Sequence, residues 1–171
     1  MTAAALVIRD ATPADFDAIT ALTVDVYVGG GFVPRSDPYA ARLADTAARA
    51  ADAQVVVAEH DGAIVGSLTV ARAGTTYAEL ARPDELEFRM LGVADTARGL
   101  GVGTALVKYV IDIASTEGAV AVAISTSSTM VDARRIYDRL GFVHVPERDW
   151  QPIPGLTLTA LVRPISPARS R

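Results

Sequence analysis

Residues 86–116 read LEFRMLGVADTARGLGVGTALVKYVIDIAST, and the reading of this stretch decides the fold. Residues 86–93 read as a strand, with side chains at 87, 89, 91 and 93 on one face. From Leu100 apolar residues recur at helical spacing as far as Thr116, and Gly118 marks the stop. Between the two lies Arg98-Gly99-Leu100-Gly101-Val102-Gly103-Thr104. Glycines at a strand-to-helix junction let the backbone approach a ligand closely. The first amides of the helix point outward with the positive end of its dipole, so the junction binds anions. Arg98 adds a full charge. The physical reading is a cradle for a pyrophosphate, and the bland one is a flexible connector. Three glycines in five residues at a helix start are a costly way to build a connector.

Known phosphate motifs narrow the choice. The dinucleotide fingerprint G-x-G-x-x-G fails because its third glycine would fall at Thr104, and the P-loop fails because no Gly-Lys pair follows. What remains is [Q/R]-x-x-G-x-[G/A], met by Arg98, Gly101 and Gly103. About 35 residues later comes Ala133-Arg134-Arg135-Ile136-Tyr137-Asp138-Arg139-Leu140-Gly141-Phe142. The pair of segments, with one strand between them, resembles the GNAT superfamily of acetyl-coenzyme A-dependent N-acetyltransferases. The joint match covers residues 86–143, while residues 6–71 agree in element order only. The ending at Arg148-Asp149-Trp150-Gln151-Pro152-Ile153-Pro154-Gly155 resembles an actinobacterial-type subgroup of mostly unassigned substrate.

The rest of the chain fits around that centre. A short β run at residues 6–8 precedes Thr12-Pro13-Ala14-Asp15, a helix start with a cap, a proline at the first position and an acid to bond back. That helix is expected to stop at Gly29-Gly30-Gly31. A second helix is expected from Ser36 or Asp37 to about Ala51. Two β runs, residues 54–59 and 63–70, joined by Asp61-Gly62, predict a hairpin. Residues 72–84 read as loop, 120–125 as strand, 130–140 as helix, 142–145 as a short strand and 156–162 as the last strand. The order β-α-α-β-β-β-α-β-α-β-β predicts an α/β (α+β) fold with one central mixed sheet and helices on both faces. Its parallel part should lie at the crossover over residues 86–125. Residues 1–165 are expected to form a single domain, followed by a loose tail at 166–171.

Bulk properties remove several functions. The 171 residues include no cysteine, so no disulfide, cysteine-ligated metal or cysteine-linked acyl intermediate is available. His60 and His144 are too few for a His-rich metal cluster, and no metal is expected. A formal charge of -4 argues against a general nucleic-acid binder. The opening residues do not read as a secretory signal, and no run is apolar enough to predict a membrane span. Cytoplasm is the expectation, and Ala, Val and Arg richness with no Asn suggests a GC-rich bacterial genome.

The resemblance also implies roles. Acetyl-CoA is the cosubstrate, held by Arg98, Gly99, Leu100, Gly101, Val102, Gly103 and Thr104. Leu91, Gly92 and Val93 would act through backbone groups, because the strand splays there from its parallel neighbour and its amides meet the thioester carbonyl and the pantetheine arm. Tyr137 would donate to the leaving thiolate, as against a plain core aromatic above Ala133 and Met130. Many members carry Asn at the position of Met130 to contact the pantetheine arm; here Ser127 or Ser128 could stand in for it, or backbone alone could hold the arm. Glu87 is the base candidate, since a carboxylate on a sheet face beside an apolar acyl site would have a raised pKa. Its alternative role is an ion pair with Arg89. Glu79, Glu85 and water are the other bases. The acceptor cleft is expected to draw on Tyr27, Phe32, Tyr39, Tyr77, Glu79 and Glu85, suiting a cationic, partly apolar amine. The single Trp and an apolar last strand allow a homodimer.

Overall fold

The computed structural model describes residues 4–167. Strand β1 (Val7–Asp10) leads through a short 3-10 turn into helix α1 (Phe16–Val24), which continues as a π-helical turn over Asp25–Gly29. Helices α2 (Pro38–Ala44) and α3 (Thr46–Asp52) precede the hairpin of β2 (Gln54–His60) and β3 (Ala63–Arg72). Then come β4 (Glu85–Val93), α4 (Val102–Glu117), β5 (Ala121–Thr126), α5 (Val131–Arg139), β6 (Val143–His144), β7 (Trp150–Ile153) and β8 (Leu156–Pro164). No described helix is long and apolar enough to cross a membrane.

The chain divides into two compact units, residues 1–70 with 90–107 and residues 71–89 with 108–171. In the first, β1 pairs antiparallel with β2, and β2 with β3. The hairpin turns on Asp61 (φ 53°) and Gly62 (φ 75°), two left-handed residues as a type I′ turn requires. Helix α1 buries Ile19 against Val55 and Val57. Its entry is fixed by Asp15, whose carboxylate accepts from the Thr12 amide at 2.8 Å and from Arg9 at 2.8 Å.

The single helix expected from 36 to 51 is two. Asp45 (φ -93°, ψ 72°) breaks it and caps α3 by accepting from the Ala48 amide. The buried Arg49 guanidinium turns back to the Arg42 and Leu43 carbonyls at the end of α2. Helical propensity alone favours one continuous Ala-rich helix. These polar anchors, together with Thr46 bonded to Thr20 at 2.7 Å, override it.

In the second unit β5 pairs parallel with β4 and antiparallel with β8, so the sheet is mixed. β6 lies along β8, and β7, a strand absent from the sequence-based order, also pairs with β8. Pro152 lies within it. As an exposed end strand paired only to β8, it does not need every amide. The tail expected at 166–171 falls outside the described residues from 168 onward.

Candidate active site

The first unit carries the end of β4 and the glycine turn as one continuous segment. Met90 adopts φ 58°, a left-handed conformation within a strand. For a non-glycine residue this costs on the order of 1–2 kcal/mol. It also breaks the strict alternation expected for Glu87, Arg89, Leu91 and Val93. Past Met90 the strand regains an orderly edge. The Ala94 amide donates to the Val65 carbonyl at 2.8 Å. Gly66 has no room for a side chain: an added Cβ would lie 2.6 Å from Val102 and 3.3 Å from the Gly92 carbonyl. The start of α4 is therefore seated directly on β3.

The turn itself is open. Gly99 (φ 84°) and Gly101 (φ 73°) have left-handed backbones, and nothing lies within 4 Å of where their side chains would be. The Ala105 amide donates to the Gly101 carbonyl at 3.0 Å and closes the first helical turn. The amides of Val102, Gly103 and Thr104 precede that bond, so they are the donors a helix leaves over at its start. Val102 and Gly103 are buried, while Arg98, Gly99, Leu100 and Gly101 are exposed. Arg98 is bonded to Asp95 at 3.0 Å in the open. The donor set is three leftover backbone amides beside one exposed guanidinium, which fits a pyrophosphate.

The second unit holds the carboxylates and the tyrosine. The β4–β5 ladder covers only Glu85–Glu87 against Ala121–Ala123, and both strands run on beyond it. Glu87 is 1% exposed. Its carboxylate accepts from the Glu79 amide at 2.7 Å and from the Leu80 amide at 3.2 Å. Burial pushes its pKa up, against the pull of those amides and of Arg89. Arg89 donates to the Tyr77 carbonyl and lies 3.5 Å from the Glu79 carboxylate. Glu85 forms a two-pronged ion pair with Arg148, at 2.9 and 2.8 Å, and Arg148 also donates to the Leu80 carbonyl at 2.7 Å. Burial would raise the Glu85 pKa, but the Arg148 guanidinium and the Arg82 amide and charge together outweigh it and hold the carboxyl below its usual value. The loop before β4 is thus pinned by Glu85, Glu87 and Arg89 together.

Tyr137 is 3% exposed and sits in an aromatic triad. Its ring lies 5.7 Å from Phe88 and 5.7 Å from Phe142. Gly141 (φ 86°) ends α5, and the Phe142 amide returns to the Tyr137 carbonyl at 3.0 Å. This is why the Tyr-x-x-x-Gly-Phe spacing exists: it folds Phe142 back onto the tyrosine. Burial raises the phenol pKa above its ordinary value, so the hydroxyl keeps its proton. Met130 precedes α5, Ser128 is exposed, and Ala133 is half-buried on that helix.

A family model described as "Acetyltransferase (GNAT) family" matches residues 17–142. The chain belongs to the GNAT family. Among curated relatives, the N-acetylaspartate synthetases of Homo sapiens and Rattus norvegicus are each 32% identical over 107 residues. That alignment covers 63% of this chain and 33% of either relative, so the chain spans about a third of their length. A GCN5-related N-acetyltransferase from Kribbella flavida is 30% identical with TM-score 0.68, covering 94% of this chain and 98% of that one. The Salmonella typhimurium protein yncA, solved with its cofactor acetyl-CoA, gives TM-score 0.71 at 22% identity, with 97% of each chain covered. A GNAT-family acetyltransferase from Staphylococcus aureus Mu50 gives TM-score 0.75 at 15% identity, covering 95% of this chain and all of that one.

Within this GNAT chain, the expected residues fall into separate groups. Leu91, Gly92, Val93 and residues 98–104 fall in one continuous segment of the first unit, which also contains Tyr27 and Phe32. Glu87, Tyr77, Glu79, Ser128, Ala133 and Tyr137 belong to the second. Tyr77 is buried and offers its carbonyl to Arg89, whereas Phe32 is exposed. Sequence reasoning missed Arg148 as a partner of Glu85, Met90 as a left-handed strand residue, and the bond from Tyr27 to β4. The Arg148-Asp149-Trp150 run was noticed, but nothing in it names residue 85. A glycine would have flagged Met90, and methionine does not.

Proposed function

We propose that this chain is an N-acetyltransferase that moves the acetyl group of acetyl-CoA to a primary amine by direct attack within a ternary complex. The observation that carries this reading is the open glycine turn at the start of α4, with its leftover amides, directly following a β4 edge bent at Met90. The amides of Val102, Gly103 and Thr104, with Arg98, hold the pyrophosphate. Backbone amides of Leu91 and Val93, on the edge of β4 turned away from β3, bind the thioester carbonyl and stabilise the oxyanion, while Gly92 faces β3. The amine lone pair attacks the carbonyl carbon, the C–S bond breaks, and the thiolate takes a proton. Tyr137 supplies that hydrogen bond or proton.

The amine must first lose its own proton, since a simple alkylammonium has a pKa of about 10. Glu87, with its raised pKa, is the base we favour, acting through water because loop amides already occupy its carboxylate. Glu79 and the Tyr77 region attract a cationic acceptor, with Phe32 as an exposed apolar contact. Ala, Val and Arg richness with no Asn supports a bacterial source, and the cytoplasm is the setting we propose. Exposed Val143, Ile153 and Leu156 support a homodimer.

The test is thiol release from acetyl-CoA across a panel of amines, paired with calorimetry on Gly101→Asp. Wild-type turnover with at least one amine is expected. The variant should be folded but unable to bind acetyl-CoA, because it sets a carboxylate where the pyrophosphate lies. Unchanged affinity in the folded variant would remove the cradle. Tight binding by the wild type, with no thiol released by any amine, would make the chain an acyl-CoA sensor instead.

A further inference from the structure

The hydroxyl of Tyr27 donates to the carbonyl of Leu91 at 2.9 Å, across 64 positions of sequence. The backbone of β4 explains why that carbonyl needs a partner. The Gly92 carbonyl lies 3.3 Å from where a Gly66 Cβ would be, and the Ala94 amide bonds to Val65, so residues 92 and 94 face β3. Strand geometry turns the backbone groups of Leu91 and Val93 to the opposite edge. Tyr27 therefore stands on the edge that carries the Leu91 and Val93 amides. The neighbouring Met90 is left-handed, an irregularity of the strand immediately before that edge.

Several features hold Tyr27 there. It is buried, and it lies in the π-helical turn Asp25–Gly29. Its own carbonyl accepts from the Phe32 and Val33 amides, both at 2.9 Å. Phe32 packs edge-on to its ring at 6.5 Å. The preceding residue, Val26, faces Gly92 closely enough that an added Cβ would sit 3.4 Å away. A π-helical turn is uncommon, and such turns often serve a site by shifting side chains out of helical register. Here the shifted turn aims one hydroxyl at one strand carbonyl.

We propose that Tyr27 is a positioning residue for the acyl group. By holding the Leu91 carbonyl it fixes the edge of β4, so that the Leu91 and Val93 amides keep the geometry in which they bind a thioester carbonyl. The inference rests on the assignment of that edge to the thioester. It gives Tyr27 a task that differs from contacting the amine.

The test needs no acceptor. Wild type and Tyr27→Phe are titrated with CoA and with acetyl-CoA carrying ¹³C at the thioester carbonyl, and the carbonyl resonance is followed. Wild type should move it downfield, as hydrogen bonding polarises the carbonyl. Tyr27→Phe keeps the ring and its packing on Phe32, so CoA affinity should stay within about twofold while most of the downfield shift disappears. Phe32→Leu, which keeps the hydroxyl, should keep the shift. A full shift in Tyr27→Phe overturns the inference. So does equal loss of shift in Phe32→Leu, or joint loss of CoA binding and thermal stability in Tyr27→Phe, since each means general loosening. Wild type that binds CoA and acetyl-CoA without any shift overturns the edge assignment itself, and the inference with it.

Discussion

One oxygen separates Tyr137 from phenylalanine, and its removal isolates the proposed acid. The ring contacts with Phe88 and Phe142 stay, so Tyr137→Phe should melt within a few degrees of wild type. Buried away from water, the phenol stays protonated throughout the working pH range, as a donor must. Loss of a general acid typically lowers kcat 10²–10⁴-fold. Acetyl-CoA affinity should change far less, because the pyrophosphate is held elsewhere. Equal turnover, measured with chemistry rate-limiting, would make Tyr137 a core aromatic. At this scale the sequence was legible where spacing encodes a local event. Tyr137 was found because Gly141 and Phe142 follow it at fixed distance. The Tyr27–Leu91 bond was not, because no local pattern records a partner 64 residues away.

The loop before β4 is an element with no secondary structure, held by the charged groups around it. Arg148 and Glu85 are its firmest anchor, with side chains 8% and 6% exposed. Arg148→Ala leaves a carboxylate buried without its cation and frees the Leu80 carbonyl. Breaking one side of a buried pair costs about 3–5 kcal/mol. Urea denaturation of the single variants and of the Arg148→Ala/Glu85→Gln double variant checks this. The double variant should recover part of the loss, because the stranded charge is gone. Additive losses would mean the pair is not coupled. The elements themselves were largely legible, since the β2–β3 hairpin, β4, α4, β5 and α5 all carry strong periodicity or turn residues. The split at Asp45 and the strand β7 were not. At Asp45 the helical preference of alanine lost to polar anchors, the Asp45 cap on Ala48, Arg49 on the α2 carbonyls and Thr46 on Thr20, whereas β7 forms a hairpin with the adjacent β8.

For the molecule as a whole, acid stability should follow Asp15. The Arg9 guanidinium, and then the Thr12 amide, lower its pKa from 3.8 to about 2. A carboxyl lowered on folding contributes stability above its unfolded pKa and loses it as pH falls through the folded value. Melting temperature should therefore drop between about pH 4 and pH 2, and Asp15→Asn should flatten that limb. Glu87, raised by burial, works in the opposite direction and favours the folded state as it protonates. A limb unchanged in Asp15→Asn would assign the acid sensitivity to other carboxyls. By itself the sequence determined the succession of strands and helices around residues 86–143, the glycine turn at the head of α4 and the tyrosine ahead of Gly141-Phe142. Each depends on backbone freedom or periodicity within a few residues. Only the tertiary structure decided that Met90 bends β4, that Tyr27 holds Leu91, and that Glu87 and Glu85 spend their oxygens on loop amides and Arg148. Those outcomes depend on which polar groups are buried together, and burial is set by packing between segments far apart in the chain.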